Sequence, residues 1–297
     1  GAADRPHPAL SAYGLLQFTD MSRVFPVDPV MLTRTKAFLL DSRDGKGGFK
    51  RNSVALDSFG RAPDHVTAAY IVWAVTEAEK GDAAKSDVTT ELDAAFKLAT
   101  DGPPANDPYF LALVANALLN RGRSADGVAL LKTVAGLQAK DGSLPGAETS
   151  ITTSRGRDLL VETTALAVLG WLKANRPELF LEPEQAAMRW IGSQRSGGGS
   201  FGSTQATILA LKALIEHARA NKKPAESGEL RVFVGGKEVA KRVFSSDVPG
   251  PIVVEVPDPD GTFQPGETEV RVETSAKQAY PLTVAWECRT RQPSSSL

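Results

Sequence analysis

Two hydrophobic rhythms divide this chain. From Pro8 to about residue 220, apolar residues recur every three or four positions, as in helices that bury a face. Beyond Lys222-Lys223-Pro224-Ala225-Glu226-Ser227-Gly228 they alternate, the period of strands. The change predicts a helical domain over residues 1–223 and a β domain over 224–297.

The predicted helices alternate in character. Ala9–Phe18, Val66–Val75, Tyr109–Leu119, Thr163–Leu172 and Ala206–Leu214 are apolar nearly all round. Between them, Pro29–Leu40, Val88–Leu98, Asp126–Leu137 and Pro183–Trp190 each carry a charged face. A helix apolar on every side needs protein around it, whereas an amphipathic one keeps a wet face. Strict alternation therefore predicts two concentric layers, an α/α toroid of helical hairpins in a mainly α fold. An open solenoid of stacked hairpins is the competing arrangement, and it does not require such apolar inner helices.

The punctuation is consistent with these helices. Asp28-Pro29, Asp107-Pro108 and Glu182-Pro183 put proline where a missing N–H costs nothing. Ser203 is a good N-cap. In the stretch Trp190–Thr207, a helix ends in polar residues, a glycine turn follows, and a Phe and a Ser/Thr cap open the next helix. Asp41–Phe49 and Gln138–Gly146 echo it, which points to a repeat. In the tail, Leu230–Val234, Ile252–Val256, Glu269–Glu273 and Leu282–Trp286 read as strands of a small antiparallel β-sandwich portion. Gly235-Gly236, Asp258–Gly261 and Pro265-Gly266 read as its turns.

Composition narrows the function classes. The 297 residues are 42% apolar and 23% charged with net charge −1, so bulk electrostatics argues for neither nucleic acid nor an anionic membrane. No apolar run approaches the roughly 20 residues of a membrane span. The chain opens on Gly1 without a charged-then-apolar leader, which reads as a processed piece or an added residue and leaves secretion open. Cys288 is the one cysteine, so neither an internal disulfide nor a cysteine metal cluster is available. No cofactor and no metal are expected.

Several motif matches dissolve on inspection. Gly198–Gly202 fits G-x-S-x-G, and Gly197–Gly202 fits G-x-G-x-x-G, but both need a preceding strand and here a helix precedes. A turn explains each residue: glycines for positive φ, Phe201 as an anchor, Ser203 as cap. Asp258, Asp260 and Glu267 hint at calcium, yet an Asp-Gly turn suffices. Trp73, Trp171 and Trp190 read as core. Glu162-Thr163-Thr164 reads as the acidic opening of an inner helix, where negative charge complements the helix dipole.

Three segments together resemble the thioester domain of the α2-macroglobulin and complement family. They are His7–Phe18, Thr67–Ala78, and Val161–Leu169 joined to Gly198–Thr207, the last similar to the family's G-G-F-S-S-T-Q-x-T signature. Thr67, Tyr70, Glu162, Thr163, Gly198, Phe201, Ser203, Thr204, Gln205 and Thr207 are the positions that carry the likeness. The resemblance covers most of residues 7–220 and implies an α/α toroid, a bacterial type of parent, and a tail that is part of a CUB-like domain. It implies a broad-spectrum endopeptidase inhibitor acting outside the cytoplasm, with target proteases and the rest of the parent chain as partners. The family's internal thioester forms within Cys-x-Glu-Gln, a motif this sequence lacks. The expectation is a fragment that begins downstream of that motif and lacks the first hairpin or so of the toroid, with no catalytic residue of its own. In some complement-type members a His in the loop before an inner helix takes up the acyl group. The corresponding loop, Arg51–Pro63, has no His, and His65 just beyond it is a weak candidate whose simpler reading is a helix-start residue. Two further classes remain. A cobalamin-carrier-like binding module also joins a toroid to a small β domain. A prenyltransferase-like or terpene-cyclase-like enzyme would need metal ligands or D-x-D-D, and the helical part has no cysteine and no such acidic motif.

Overall fold

A computed structural model describes residues 6–50, 59–220, 227–246, 252–256, 263 and 267–276. The chain splits into two compact units, 1–221 and 222–297.

The helical unit has nine α-helices among the described residues: α1 Pro8–Met21, α2 Pro29–Asp41, α3 Asp64–Ala78, α4 Thr89–Asp101, α5 Pro108–Asn120, α6 Ser124–Gly136, α7 Gly156–Ala174, α8 Pro177–Ser193 and α9 Thr204–Ala220. The starts have chemical causes. Asp28 accepts from the Val30 amide at 2.8 Å, and Asp107 accepts from the Tyr109 and Phe110 amides at 2.9 and 3.0 Å. Ser203 accepts from the Ala206 amide at 3.2 Å.

The predicted layers are present. α1, α3, α5, α7 and α9 pack each on the next as an inner wall. α2, α4, α6 and α8 lie outside it, each against the inner helices that flank it in sequence, apart from α2, which packs on α1. Every residue of α5 from Pro108 to Leu118 is buried. Trp73, Trp171, Tyr70, Tyr109, Phe110 and Phe180 fill the space between the helices. The two ends of the row differ from its middle. α1 and α9 do not pack as the other inner neighbours do. They are bridged by Lys212 Nζ and Asp20 Oδ2 at 2.7 Å, and Phe18, Met21, Leu211 and Ile215 stay exposed.

The three glycine turns share one closure. Asp44, Ala139 and Ser196 each donate a backbone N–H to the carbonyl four residues on, at 3.0, 2.9 and 2.8 Å. Gly142 shows why glycine is needed. Its φ is +95°, and a Cβ there would lie 2.3 Å from the Ala186 carbonyl oxygen. Helix α8 rests directly on this turn, clamped by Gln138 Nε2 donating to the carbonyls of Gly142 and Pro183 at 3.0 and 2.9 Å.

Two helix starts depart from the sequence reading. α8 opens at Pro177, so Pro183 lies inside it. There the proline removes one amide donor without ending the helix. α7 opens at Gly156, which places Glu162 in the helix interior rather than at its dipole end. Asp158 is the acid of the first turn.

At the C-terminal ends of the inner helices, Glu77 of α3 meets α5 and α7. Its Oε2 accepts from Lys173 Nζ at 2.6 Å and Asn120 Nδ2 at 2.9 Å. Burial alone would raise this carboxyl, but Lys173, Lys80 and the hydrogen bonds outweigh it and hold it at about 2.

In the second unit, β1 Gly228–Val234, β2 Lys237–Phe244 and β3 Val270–Thr274 form an antiparallel sheet ordered β2-β1-β3. Gly235 and Gly236, at φ +55° and +82°, make the two-residue hairpin turn. β2 is absent from the sequence reading because Lys237, Glu238, Lys241 and Arg242 break its alternation. Ile252–Val256 is in no strand. The predicted strand Leu282–Trp286, the turns Asp258–Gly261 and Pro265-Gly266, and Cys288 lie outside the described residues.

Four outcomes are expected in urea unfolding. Gly142→Ala loses about 2–4 kcal/mol, whereas Gly192→Ala, whose Cβ would meet nothing within 4 Å, gains about 0.5–1 kcal/mol. The Glu77 carboxyl is depressed, so its contribution is present above pH 4.5 and disappears as pH falls toward 2, about 3 kcal/mol in all. Lys173→Met loses about 3–5 kcal/mol at pH 7. Denaturation of that variant from pH 7 to 4 shows the deficit shrinking as Glu77 takes up a proton.

Candidate functional site at the N-terminal mouth of the inner helices

Five polar side chains lie in the N-terminal halves of the inner helices: Tyr13 of α1, Tyr70 of α3, Tyr109 of α5, Glu162 of α7 and Gln205 of α9. Tyr70, Tyr109, Glu162 and Gln205 are buried. Among the described residues, the Tyr70 hydroxyl and Gln205 Oε1 are both buried without a hydrogen-bond partner. Burial raises the Tyr13, Tyr70 and Tyr109 phenols, and in each the nearby Glu162 charge adds to the rise.

Glu162 dominates this end electrostatically. It is fully buried, and burial pushes its carboxyl up to about 7. Asp158 pushes the same way, while hydroxyls of Ser154, Ser150 and Thr152 oppose it. Oε1 accepts from Ser154 Oγ at 2.5 Å and from Thr152 Oγ1 at 3.5 Å.

A pocket of about 590 Å³ is lined by His7, Asp44, Lys46, Phe49, Asp64 and His65 among others, and by none of the five side chains above. His7 is buried and caps α1, its Nδ1 accepting from the Leu10 amide at 3.4 Å. His65 is half-buried, its ring edge-on to Phe110 at 5.1 Å between centroids. Among the described residues no group of three His, Cys, Asp or Glu is placed to hold a metal ion.

The signature positions divide into two sets. Tyr70, Glu162 and Gln205 converge at the mouth. Phe201, Ser203 and Thr207 build the turn that opens α9. The Phe201 side chain is buried, and its amide donates to Thr207 Oγ1 at 3.0 Å. Gly202, at φ +118°, leaves room for Asp158, whose Oδ1 would lie 2.1 Å from a Cβ. Gly198 and Thr204 are exposed. Thr163 Oγ1 bonds the Leu159 carbonyl at 2.8 Å, a helix-internal contact, and Thr67 lines the pocket. Sequence reasoning missed Tyr109, Ser150, Thr152 and Ser154. The run Thr149-Ser150-Ile151-Thr152-Thr153-Ser154, dense in hydroxyls just before an inner helix, was the available signal.

The fold and this mouth define a helical toroid with a polar, carboxyl-centred N-terminal end. Residues 5–217 match the family model of the A-macroglobulin TED domain, the thioester domain. The chain belongs to that family. It is also similar to Complement C3 of Oncorhynchus mykiss, with 26% identity over 217 residues, covering 70% of this chain and 12% of that protein. The chain thus spans a small part of the length of this relative.

Within the signature turn, burial and capping differ in weight. Phe201→Ala is expected to lose about 3–5 kcal/mol by thermal denaturation. Ser203→Ala loses about 0.5–2 kcal/mol. Equal losses would mean that Phe201 does not anchor the turn.

Proposed function

We propose that this chain is the scaffold part of an α2-macroglobulin-like, broad-spectrum endopeptidase inhibitor that works outside the cytoplasm. Family membership over residues 5–217 is the observation that carries the reading. In the parent, a Cys-x-Glu-Gln segment contributes an internal thioester, and the helices described here wall it in. The apolar inner wall suits that task, because an acyl bond survives only where water is excluded. A target protease cleaves the parent, the parent changes shape, and the acyl bond is exposed. An amine or hydroxyl of the protease then attacks the acyl carbon. The cysteine leaves as thiolate, and an amide or ester holds the target. This chain supplies no nucleophile and no base to that step. The target protease and the remainder of the parent chain are its partners.

The test uses the full-length parent. Methylamine is expected to open the thioester, release one thiol per chain, and abolish covalent capture of an added protease. Absence of thiol release overturns the thioester reading. Unchanged capture after methylamine overturns the acyl mechanism of trapping.

A further inference from the structure

We propose that residues 144–155 form a strap across the N-terminal mouth, and that its docking is governed by the protonation of Glu162. The strap has no helix or strand, yet Leu144, Ser150 and Ile151 are fully buried. Buried irregular backbone must find hydrogen-bond partners, and here inner helices provide them. The Leu144 amide donates to Thr164 Oγ1 at 3.1 Å, the Glu148 amide to Asp107 Oδ2 at 3.1 Å, and the Ile151 amide to Tyr109 Oη at 3.3 Å. Ser154 and Thr152 close the far end on Glu162. Thr153 sits at φ +53°, a conformation of about 1–3 kcal/mol that persists only where surrounding contacts hold it.

Glu162 is the anchor whose charge changes near neutrality. The groups that face it are Tyr13 from α1, Tyr70 from α3, Tyr109 from α5 and Asp158 from α7 itself, while the neutral Gln205 of α9 lies against Tyr70. Among the described residues, no ion pair to a Lys or Arg is seen at this carboxyl. Its ionised form therefore has hydroxyls alone for stabilisation, and undocking the strap gives it water. Burial raises this carboxyl to about 7 even though the strap's own hydroxyls oppose the rise, so a docked state that keeps water from it holds the proton more tightly than one that admits water. Docking is strongest below about pH 4.5, weakens up to tenfold per pH unit toward 7, and is constant beyond. Asp107, the second acidic anchor, is also raised by burial and works in the same direction.

Residue-resolved hydrogen exchange of the 297-residue chain, corrected for intrinsic rates, tests this from pH 4.5 to 8.5. Protection of the Leu144 and Ile151 amides is expected to fall by up to about 300-fold between pH 4.5 and 7 and then level off. Protection of Leu113 in α5 should not follow. Glu162→Gln, which cannot ionise, should flatten most of the strap profile. Tyr109→Phe should loosen the strap at every pH and keep the slope. A flat wild-type profile, a slope retained in Glu162→Gln, or Leu113 falling in parallel overturns the proposal. If Glu162→Gln does not fold, a ¹³C titration of the wild-type Glu162 carboxyl decides: a midpoint below 5 overturns it, and one near 7 supports it.

Discussion

A helix that is apolar on every side cannot face water, and the helical unit follows from having several in one chain. Each must be covered by others like it and, outside those, by helices with one wet face. α3, α5 and α7 satisfy this completely, being covered by inner neighbours on both sides and outer helices behind. α1 and α9 satisfy it in part, since each has one inner neighbour, and their exposed Phe18, Met21, Leu211 and Ile215 mark the ends of the row. The glycine turns serve the same packing. Gly142 lets the backbone of α8 lie directly on a turn, and Gly202 lets Asp158 reach one.

Polar groups on such helices are confined to the ends of the wall, and two buried carboxyls show opposite solutions. Glu77 has the ammonium of Lys173 at 2.6 Å and is held as a carboxylate. Glu162 has hydroxyls and a neighbouring acid, and burial holds it close to neutral charge balance at physiological pH. One end of the toroid is pinned by a charge pair, while the other carries a proton whose release bears on the strap. The positions that carry the likeness divide differently: Phe201, Ser203 and Thr207 shape a turn, and Tyr70, Glu162 and Gln205 meet at the mouth.

Membership in the A-macroglobulin TED family accounts for the toroid and for the similarity to a complement protein. At the mouth, the groups whose titration is raised are buried side chains packed on one another. Burial, not a nucleophile–base pair, sets their properties, and His65 packs on an aromatic ring instead of joining an acid or a thiol.

Helix number, layer alternation, the proline starts at Asp28-Pro29 and Asp107-Pro108, the Ser203 cap and the Gly235-Gly236 turn were legible in the sequence, because each rests on residues close together in the chain. The start of α7, the continuation of α8 through Pro183 and the strand β2 were not. Packing against distant elements decides such places, as where α8 rests on the turn at Gly142. The mouth depended wholly on tertiary structure. Tyr13, Tyr70, Tyr109, Glu162 and Gln205 are spread along nearly the whole helical unit, and only the side-by-side packing of the inner helices brings them together. Whether a carboxylate reads as a helix-end charge or as a buried proton carrier is decided by what surrounds it, and one-dimensional spacing does not contain that.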